Sequence, residues 1–136
     1  DKKLDLQVIC DHSTPRTTSH QRIDHVAFEN GSTTFNGRIH ILEHASGCNA
    51  QLKNRSLAMG SETTINAKPE LEIYNDDVQC SHGSTIGQVD ETQLFYMRSR
   101  GIKQKEAHAI LCEGFLRETI SGPLSASAKS NLIPER

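Results

Sequence analysis

Apolar residues in the first two thirds of the chain alternate with polar ones over short stretches. Alternation with a period of two puts the apolar side chains on one face of a β-strand. We therefore expect a series of strands of about three to five residues, each with one buried face. The clearest apolar pairs are Ile39 with Ile41, Leu71 with Ile73, and Val78 with Cys80.

Turn-forming residues separate these stretches. We interpret Gly31, Gly37, Gly47 and Gly60 as turn positions. Pro69 should lie at the start of a strand or on a sheet edge, because proline cannot donate a backbone hydrogen bond. Short strands with many turns fit either a β-sandwich or a β-solenoid. A repeat of constant length would favour the solenoid, but none is clear, so the pattern leaves both architectures open.

The pattern becomes helical near residue 88. Asp90 is a good N-cap, Gly101 suits the left-handed position after a helix, and Ile102 can fold back as its apolar contact. A second helix is expected over about residues 104–119, and a loose tail beyond residue 124. We divide the chain into a β unit over residues 1–88 and a helical region over residues 89–136. The residues expected on the apolar helix faces are Leu94, Phe95, Met97, Ala107, Ile110, Leu111, Gly114 and Phe115.

Size and charge exclude several classes of protein. The chain has 136 residues and a formal net charge of -2. That length allows a real core, but the charge provides no basic field for nucleic acid. No apolar run approaches the ~18 residues that a membrane-spanning helix needs. Because the sequence opens at Asp1 without a methionine, we expect an N-terminally truncated piece of a longer protein.

The number and spacing of the cysteines indicate the redox state of the compartment in which the protein works. None forms a Cys-x-x-Cys pair, so a zinc ribbon is not expected. The chain is also too long and too poor in cysteine for a disulfide-stapled secreted domain. We expect reduced thiols in a cytosol-like compartment. The four cysteines are Cys10, Cys48, Cys80 and Cys112.

Cys80 and His82 are the sharpest candidates for chemistry. In a strand, residues two apart point to the same face, so a thiolate and an imidazole could share one site. Both side chains bind iron or zinc once deprotonated. Two ligands are too few for a closed metal site, so further ligands would have to come from elsewhere in the fold or from a partner chain. Equally, Cys80 could pack inward and His82 could hydrogen-bond a turn.

Other polar residues receive structural interpretations. Asp76 and Asp77 would face opposite ways in a strand, so a turn or an edge-blunting role is expected. His40 and His44 lie in or beside a strand-like stretch, and we interpret them as surface or core residues. The chain contains no phosphate-binding Gly-x-x-x-x-Gly-Lys-Ser loop, no Gly-x-Ser-x-Gly elbow and no His-Glu-x-x-His motif.

Several motifs in order resemble the SufD branch of the SufB/SufD family, the scaffold proteins of SUF iron–sulfur cluster assembly. Residues 76–83 (DDVQCSHG) match the family's most distinctive run, in which Cys-Ser-His-Gly favours SufD over SufB. Ser84 replaces the usual alanine and Met97 the usual leucine. The other matching segments are residues 35–39 (FNGRI), 57–60 (LAMG) and 90–102 (DETQLFYMRSRGI).

The resemblance implies a mainly β fold, a right-handed parallel β-helix followed by a small C-terminal α-helical region. Over residues 20–88 we expect parallel strands with a coil of roughly 20 or more residues. The implied function is that of a non-catalytic scaffold that pairs with SufB through the β-helix and docks the SufC ATPase through the helices. The implied partner-binding residues are Phe95, Tyr96, Arg98 and Arg100.

The resemblance also makes His82 a candidate cluster ligand near the seam with SufB, and Cys80 a weaker one. It implies no permanently bound cofactor, a transient iron–sulfur cluster or iron in the full complex, and a location in the cytoplasm or the plastid stroma. Without SufB, the chain is expected to form a homodimer. Two alternatives remain: a small metal-dependent β-fold enzyme that uses Cys80 and His82, and a purely structural solenoid.

Overall fold

The fold consists of six β-strands followed by two α-helices. It is seen in a computed structural model that describes residues 2–28 and 30–118. The expected loose tail lies outside the described residues. The strands are β1 (Lys3–His12), β2 (Thr18–Ala27), β3 (Ser32–Ile41), β4 (Cys48–Ala58), β5 (Thr64–Ile73) and β6 (Val78–Gln88), and the helices are α1 (Glu91–Ser99) and α2 (Gln104–Arg117).

The strands form two parallel sheets, one in the order β1-β3-β5 and the other in the order β2-β4-β6. The chain alternates between the sheets, so each pair of consecutive strands makes one coil of a β-helix. Lys3 pairs with Ser32, 29 positions further on, and Ser32 pairs with Thr64, 32 positions further on. The prediction of a mainly β, parallel, coiled fold is confirmed. The predicted strand length is wrong, because the strands have 10 or 11 residues.

The core lies between the two sheets and is densest in the middle coil. In β3 and β4, alternate residues are buried along the whole strand. Parallel pairing stacks each inward residue on its counterparts in neighbouring coils, so a few residues per strand complete the core. The buried cluster comprises Phe35, Ile39, Ile41, Ala45, Cys48, Ala50 and Leu52.

Gly37 lies inside β3, so its interpretation as a turn is wrong. It occupies an inward position beneath the ring of Phe35, opposite Leu52. A Cβ atom at this position would lie 2.6 Å from Phe35 Cζ and 2.7 Å from Leu52 Cδ2. The glycine is therefore required by the close approach of two buried side chains, and a pattern search mistakes it for a break in the strand.

The turns follow the local signals of the sequence. Gly47, between β3 and β4, has a φ of +70°, the left-handed conformation that glycine adopts without strain. Between β5 and β6, the Asp77 amide donates to Asn75 Oδ1 at 2.9 Å, and the Gly47 amide donates to the Asp77 carbonyl at 2.7 Å. Asp77 thus has the expected turn role. Pro69 lies in β5, an edge strand, as predicted.

The first helix begins and ends where its local signals place it. Asp90 Oδ1 accepts a hydrogen bond from the Thr92 amide at 2.8 Å, which satisfies one of the free donors of the first turn. Gly101 has a φ of +87°, and the Ile102 amide donates to the Met97 carbonyl at 3.2 Å. This is the expected left-handed helix end.

The second helix is less well predicted than the first. It begins at Gln104 as expected and ends at Arg117. Ala107 is buried, as predicted, but Ile110 is 45% exposed. The other buried residue of this helix is Cys112. In α1, Leu94 is buried whereas Phe95 is 72% exposed, so Phe95 does not belong to the inward face.

Candidate functional site

The candidate site lies at the end of the β-helix formed by the edge strands β5 and β6, here called the β5–β6 end. Among residues 2–28 and 30–118, each of these strands pairs with a neighbour on one side only. Their outer edges therefore present unpaired backbone donors and acceptors, which a further strand can satisfy. Large apolar side chains are exposed here as well: Ile73 is 39% and Ile86 is 52% exposed. An unpaired edge beside exposed apolar residues is typical of an interaction surface.

Cys80 and His82 lie side by side on β6 at this end. Cys80 pairs with Ala50, and His82 pairs with Leu52. Ala50 and Leu52 are fully buried, and partners in a parallel ladder point the same way, so Cys80 and His82 both lie on the inner face. Cys80 packs against the core cluster, whereas His82 is exposed because no strand in the described part of the chain pairs with the far side of β6. The structure thus combines a half-buried thiol with an accessible imidazole.

The surroundings of Cys80 keep its thiol protonated. Burial raises the pKa of Cys80 above its ordinary value, a backbone group of Ala50 opposes this, and the nearby Cys48 raises it further. A protonated thiol is a poor nucleophile and a poor metal ligand. Metal binding would have to displace the proton, so Cys80 is the less favourable candidate ligand of the two.

Cys48 and Cys80 are neighbours on the inner face of their sheet, but they are not placed for a disulfide. Cys80 is in register with Ala50, two residues beyond Cys48. Two residues along a strand and one strand spacing across separate the Cα atoms by about 8 Å. A disulfide requires less than about 7 Å. Both cysteines are free.

The role of Asn54, a buried polar residue near His82, was not predicted from the sequence. Asn54 is buried in β4, donates through Nδ2 to the Ile23 carbonyl at 3.1 Å, and accepts from Ser84 Oγ at 3.1 Å. It therefore ties β2, β4 and β6 together through side-chain bonds. The available signal was its alternation with Leu52 and Ser56, but polar residues at inward positions do not stand out in a hydrophobicity pattern.

Three of the other histidines have partners away from His82. His40 lies on the outer face of the other sheet with Nδ1 3.1 Å from Asp11 Oδ1, and His44 Nε2 contacts the Ser13 carbonyl at 2.9 Å. His12 is buried, with Nδ1 2.6 Å from Thr17 Oγ1. Within residues 2–28 and 30–118, no group of three or more His, Cys, Asp or Glu side chains is arranged to hold a metal ion. Cys80 and His82 would therefore offer a metal at most two ligands from this part of the chain.

A second candidate surface lies on α1. Phe95 and Tyr96 are 72% and 56% exposed, and the Arg100 guanidinium lies 4.4 Å from the centre of the Tyr96 ring. Arg98 is exposed on the same helix. Exposed aromatic and arginine side chains are the residues that most often dominate protein–protein binding. The four residues predicted to bind a partner therefore lie on α1 and at its C-cap, Arg100.

The coiled pair of parallel sheets, with helices appended, defines the class of β-helix proteins. Comparison with known families is more specific. Residues 1–115 match the family described as SUF system FeS cluster assembly, SufBD core domain. The chain belongs to this family of iron–sulfur cluster assembly proteins, as its motifs predicted.

Three relatives illustrate the match. The chain is 39% identical over 114 residues to the iron–sulfur cluster assembly protein SufD of Escherichia coli, covering 84% of this chain and 27% of that protein. It is 36% identical over 131 residues to a SufBD family protein of Synechocystis, with shares of 93% and 29%. It is 39% identical over 125 residues to the chloroplastic protein ABCI7 of Arabidopsis thaliana, with shares of 88% and 26%. The chain thus spans about a quarter of the length of these relatives.

Neither described helix combines the length and the apolar character needed to cross a bilayer.

Proposed function

We propose that this chain is a non-catalytic scaffold for iron–sulfur cluster assembly, with the β5–β6 end as its assembly face and α1 as its ATPase-binding face. The observation that carries the proposal is the position of His82: exposed, beside a thiol, on an unpaired edge strand of a SufBD core. A partner that pairs with this edge would bring its own side chains next to the imidazole. The cluster, or its iron, is the cargo of this face, held transiently.

The pair of candidate ligands supports a shared site over a self-contained one. Cys80 and His82 provide two ligands, and a closed tetrahedral site needs four. An edge strand can recruit the others, because strand addition aligns a partner's side chains with those of β6. The partner we propose is SufB, a member of the same family. A small metal-dependent enzyme built on Cys80 and His82 would need further ligands near them within one chain.

In the absence of SufB, we expect the β5–β6 end to pair with a second copy of the chain, giving a two-fold homodimer. The driving forces are the unpaired backbone of β5 and β6 and the exposed Ile73 and Ile86. Sedimentation equilibrium at micromolar concentrations should give the dimer mass. Replacing Ile86 with lysine should shift it to the monomer, whereas Ile110→Lys, on α2, should not. A monomer at all these concentrations would contradict the prediction.

The helical surface supports docking of the ATPase SufC. Tyr96 and Arg100 stack on each other at the exposed end of α1, which fixes both side chains before binding and lowers the entropy that binding costs. Phe95 extends the patch and Arg98 adds charge. Docking of SufC on the helices does not depend on the role of His82. An experiment can therefore refute either proposal without the other.

Replacing Tyr96 and Arg100 together with alanine should weaken binding of SufC by about 2 kcal/mol or more, the loss typical of a hot spot. Calorimetric titration of the folded double variant would measure it. The control is Arg38→Ala combined with Tyr74→Ala, an arginine and an exposed tyrosine at β3 and after β5. Equal affinity for the wild type and the Tyr96/Arg100 variant would refute this assignment.

A reducing compartment fits the proposed function, because a cluster ligand must remain a free thiol or imidazole. All four cysteines are free. We place the protein in the cytoplasm, or in the plastid stroma of a plastid-bearing organism, in keeping with the bacterial and chloroplastic relatives.

A further inference from the structure

Arg55, together with Arg22 of β2, attaches the C-terminal end of α2 to the β-helix, and Arg22 Nη2 lies 3.2 Å from Asp24 Oδ2 and 3.6 Å from Glu118 Oε2. Arg55 lies on β4, facing outward from the β2–β4–β6 sheet, between Asp24 of β2 and Thr85 of β6. Its Nε and Nη2 both donate to Asp24 Oδ2, at 3.1 and 2.7 Å. The Asp24 side chain is fully buried, whereas that of Arg55 is 29% exposed. One side of the guanidinium is thus fixed to a carboxylate that has no access to water.

The other side of the same guanidinium holds the end of α2. Nη2 donates to the Phe115 carbonyl at 3.2 Å, and Nη1 donates to Glu118 Oε2 at 2.5 Å. The guanidinium carbon lies 4.7 Å from the centre of the Phe115 ring. Carbonyls in the last turn of a helix have no helical partner, and a cation there is favourable with the helix dipole. Arg55 therefore acts as a cap supplied by the sheet.

Ala107, in the first turn of α2, is fully buried. A cleft lined by Met59, Gly60, Gln88 and His108 lies where the start of α2 approaches the ends of β4 and β6. The contacts of Arg55 hold the C-terminal end of α2 against the sheet.

The strand that carries Arg55 also leads to the candidate site. The preceding residue, Asn54, points inward and accepts a hydrogen bond from Ser84 Oγ on β6 at 3.1 Å. Ser84 is two residues from His82 on the same face of β6. A continuous set of contacts thus runs from α2 through Arg55 and Asn54 to β6.

We propose that Arg55 is a positioning residue that fixes α2 on the outer face of the β2–β4–β6 sheet and transmits a displacement of the helices to β6. The transmission part rests on the proposed function, in which the ATPase binds the helices and the cluster forms at β6. The contacts of Arg55 with Asp24, Phe115 and Glu118, here called the latch, require no partner protein. The latch depends on the planar guanidinium group of arginine. This group contacts the Phe115 ring, the Phe115 carbonyl and the Asp24 carboxylate at the same time.

The first test measures hydrogen–deuterium exchange in the wild-type chain and in Arg55→Ala and Arg55→Lys. Exchange in the last turn of α2 should become about tenfold faster or more in Arg55→Ala, since the contacts of Arg55 with the carbonyl and the ring of Phe115 are lost, and Arg22 keeps contacts only with Asp24 and Glu118. Arg55→Lys keeps the charge beside Asp24, but loses the planar fork, so exchange there should also rise. The matched control is Arg38→Ala, an outward arginine on β3 that pairs with Glu72 at 3.2 Å. Wild-type exchange in α2 of both Arg55 variants would overturn the positioning role.

The second test adds SufC to the same chains and follows exchange in β6. In the wild type, binding should change the exchange of β6. In Arg55→Lys, SufC should bind within about twofold of the wild-type affinity, because Arg55 lies away from α1, and the response of β6 should fall by at least half. An undiminished β6 response in Arg55→Lys would overturn the transmission. Absence of SufC binding to the wild type would instead contradict the proposed function and, with it, the transmission, while the first test still decides the latch.

Discussion

Replacing His82 with alanine should leave the complex intact and lower the rate of cluster formation at least about tenfold, the loss expected when a metal site is deprived of a ligand or its support. The imidazole is exposed on an edge strand, and its partner in the ladder, Leu52, already fills the interior. We therefore expect folding not to depend on the ring. We expect cluster build-up to depend on it, because Cys80 alone, with its pKa raised by burial, would be a poor ligand.

The test reconstitutes the SufB, SufC and His82→Ala complex and follows cluster absorbance after addition of iron and a sulfur source. His20→Ala is the matched control, because His20 is an exposed histidine on the outer face of the same sheet. The control should match the wild type. Cluster formation by His82→Ala at the wild-type rate would reduce His82 to a surface residue. Loss of complex assembly would show that His82 contributes to the interface with SufB and does not act as a cluster ligand.

The shared face of Cys80 and His82 could be predicted from the sequence, because a period of two is a property of any strand. The capped helix α1 could also be predicted, since Asp90 and Gly101 act through bonds to their immediate neighbours. These features depend on contacts within a few residues of the chain. They remain valid whichever fold the rest of the chain adopts.

The length of the strands and the coil could not be predicted in the same way. Inward positions of the middle coil include Thr33, Gly37, Asn54 and Ser56, all buried. Each interrupts the alternation of apolar residues, so one strand of 10 or 11 residues looks like a short strand and a turn. The ladder offsets also vary between 29 and 32 residues, which obscures the repeat that a solenoid should show.

The latch on α2 depends on contacts that no local pattern contains. Arg55 and Glu118 are 63 residues apart in sequence. As a lone arginine in a strand, Arg55 looks like any solvated outward residue, and its role appears only when Asp24 and Phe115 are placed beside it. The exposure of Ile110 could not be predicted for a similar reason. Helical spacing shows which face of α2 is apolar, but it does not show how much of that face the small sheet covers.

Gly37→Ala should destabilise the chain by about 1–3 kcal/mol, the cost of overpacking a dense core. The added Cβ would approach Phe35 Cζ to 2.6 Å and Leu52 Cδ2 to 2.7 Å. Both atoms belong to flexible side chains, but Phe35 and Leu52 are 1% and 0% exposed, so neither has space to retreat. Urea unfolding followed by far-UV circular dichroism would measure the loss.

Gly83→Ala is the matched control, because Gly83 also lies within a strand, yet a Cβ there meets nothing within 4 Å. It should be neutral or stabilising by about 0.4–1 kcal/mol, through the lower entropy of the unfolded chain. A second variant separates the clash from a loss of backbone freedom. Adding Phe35→Leu to Gly37→Ala removes the ring that the new methyl group meets, so the two changes together should cost less than the sum of their separate effects. Strict additivity would show that the cost does not come from the Phe35 ring, and equal midpoints for Gly37→Ala and Gly83→Ala would show that the core at Gly37 tolerates a side chain.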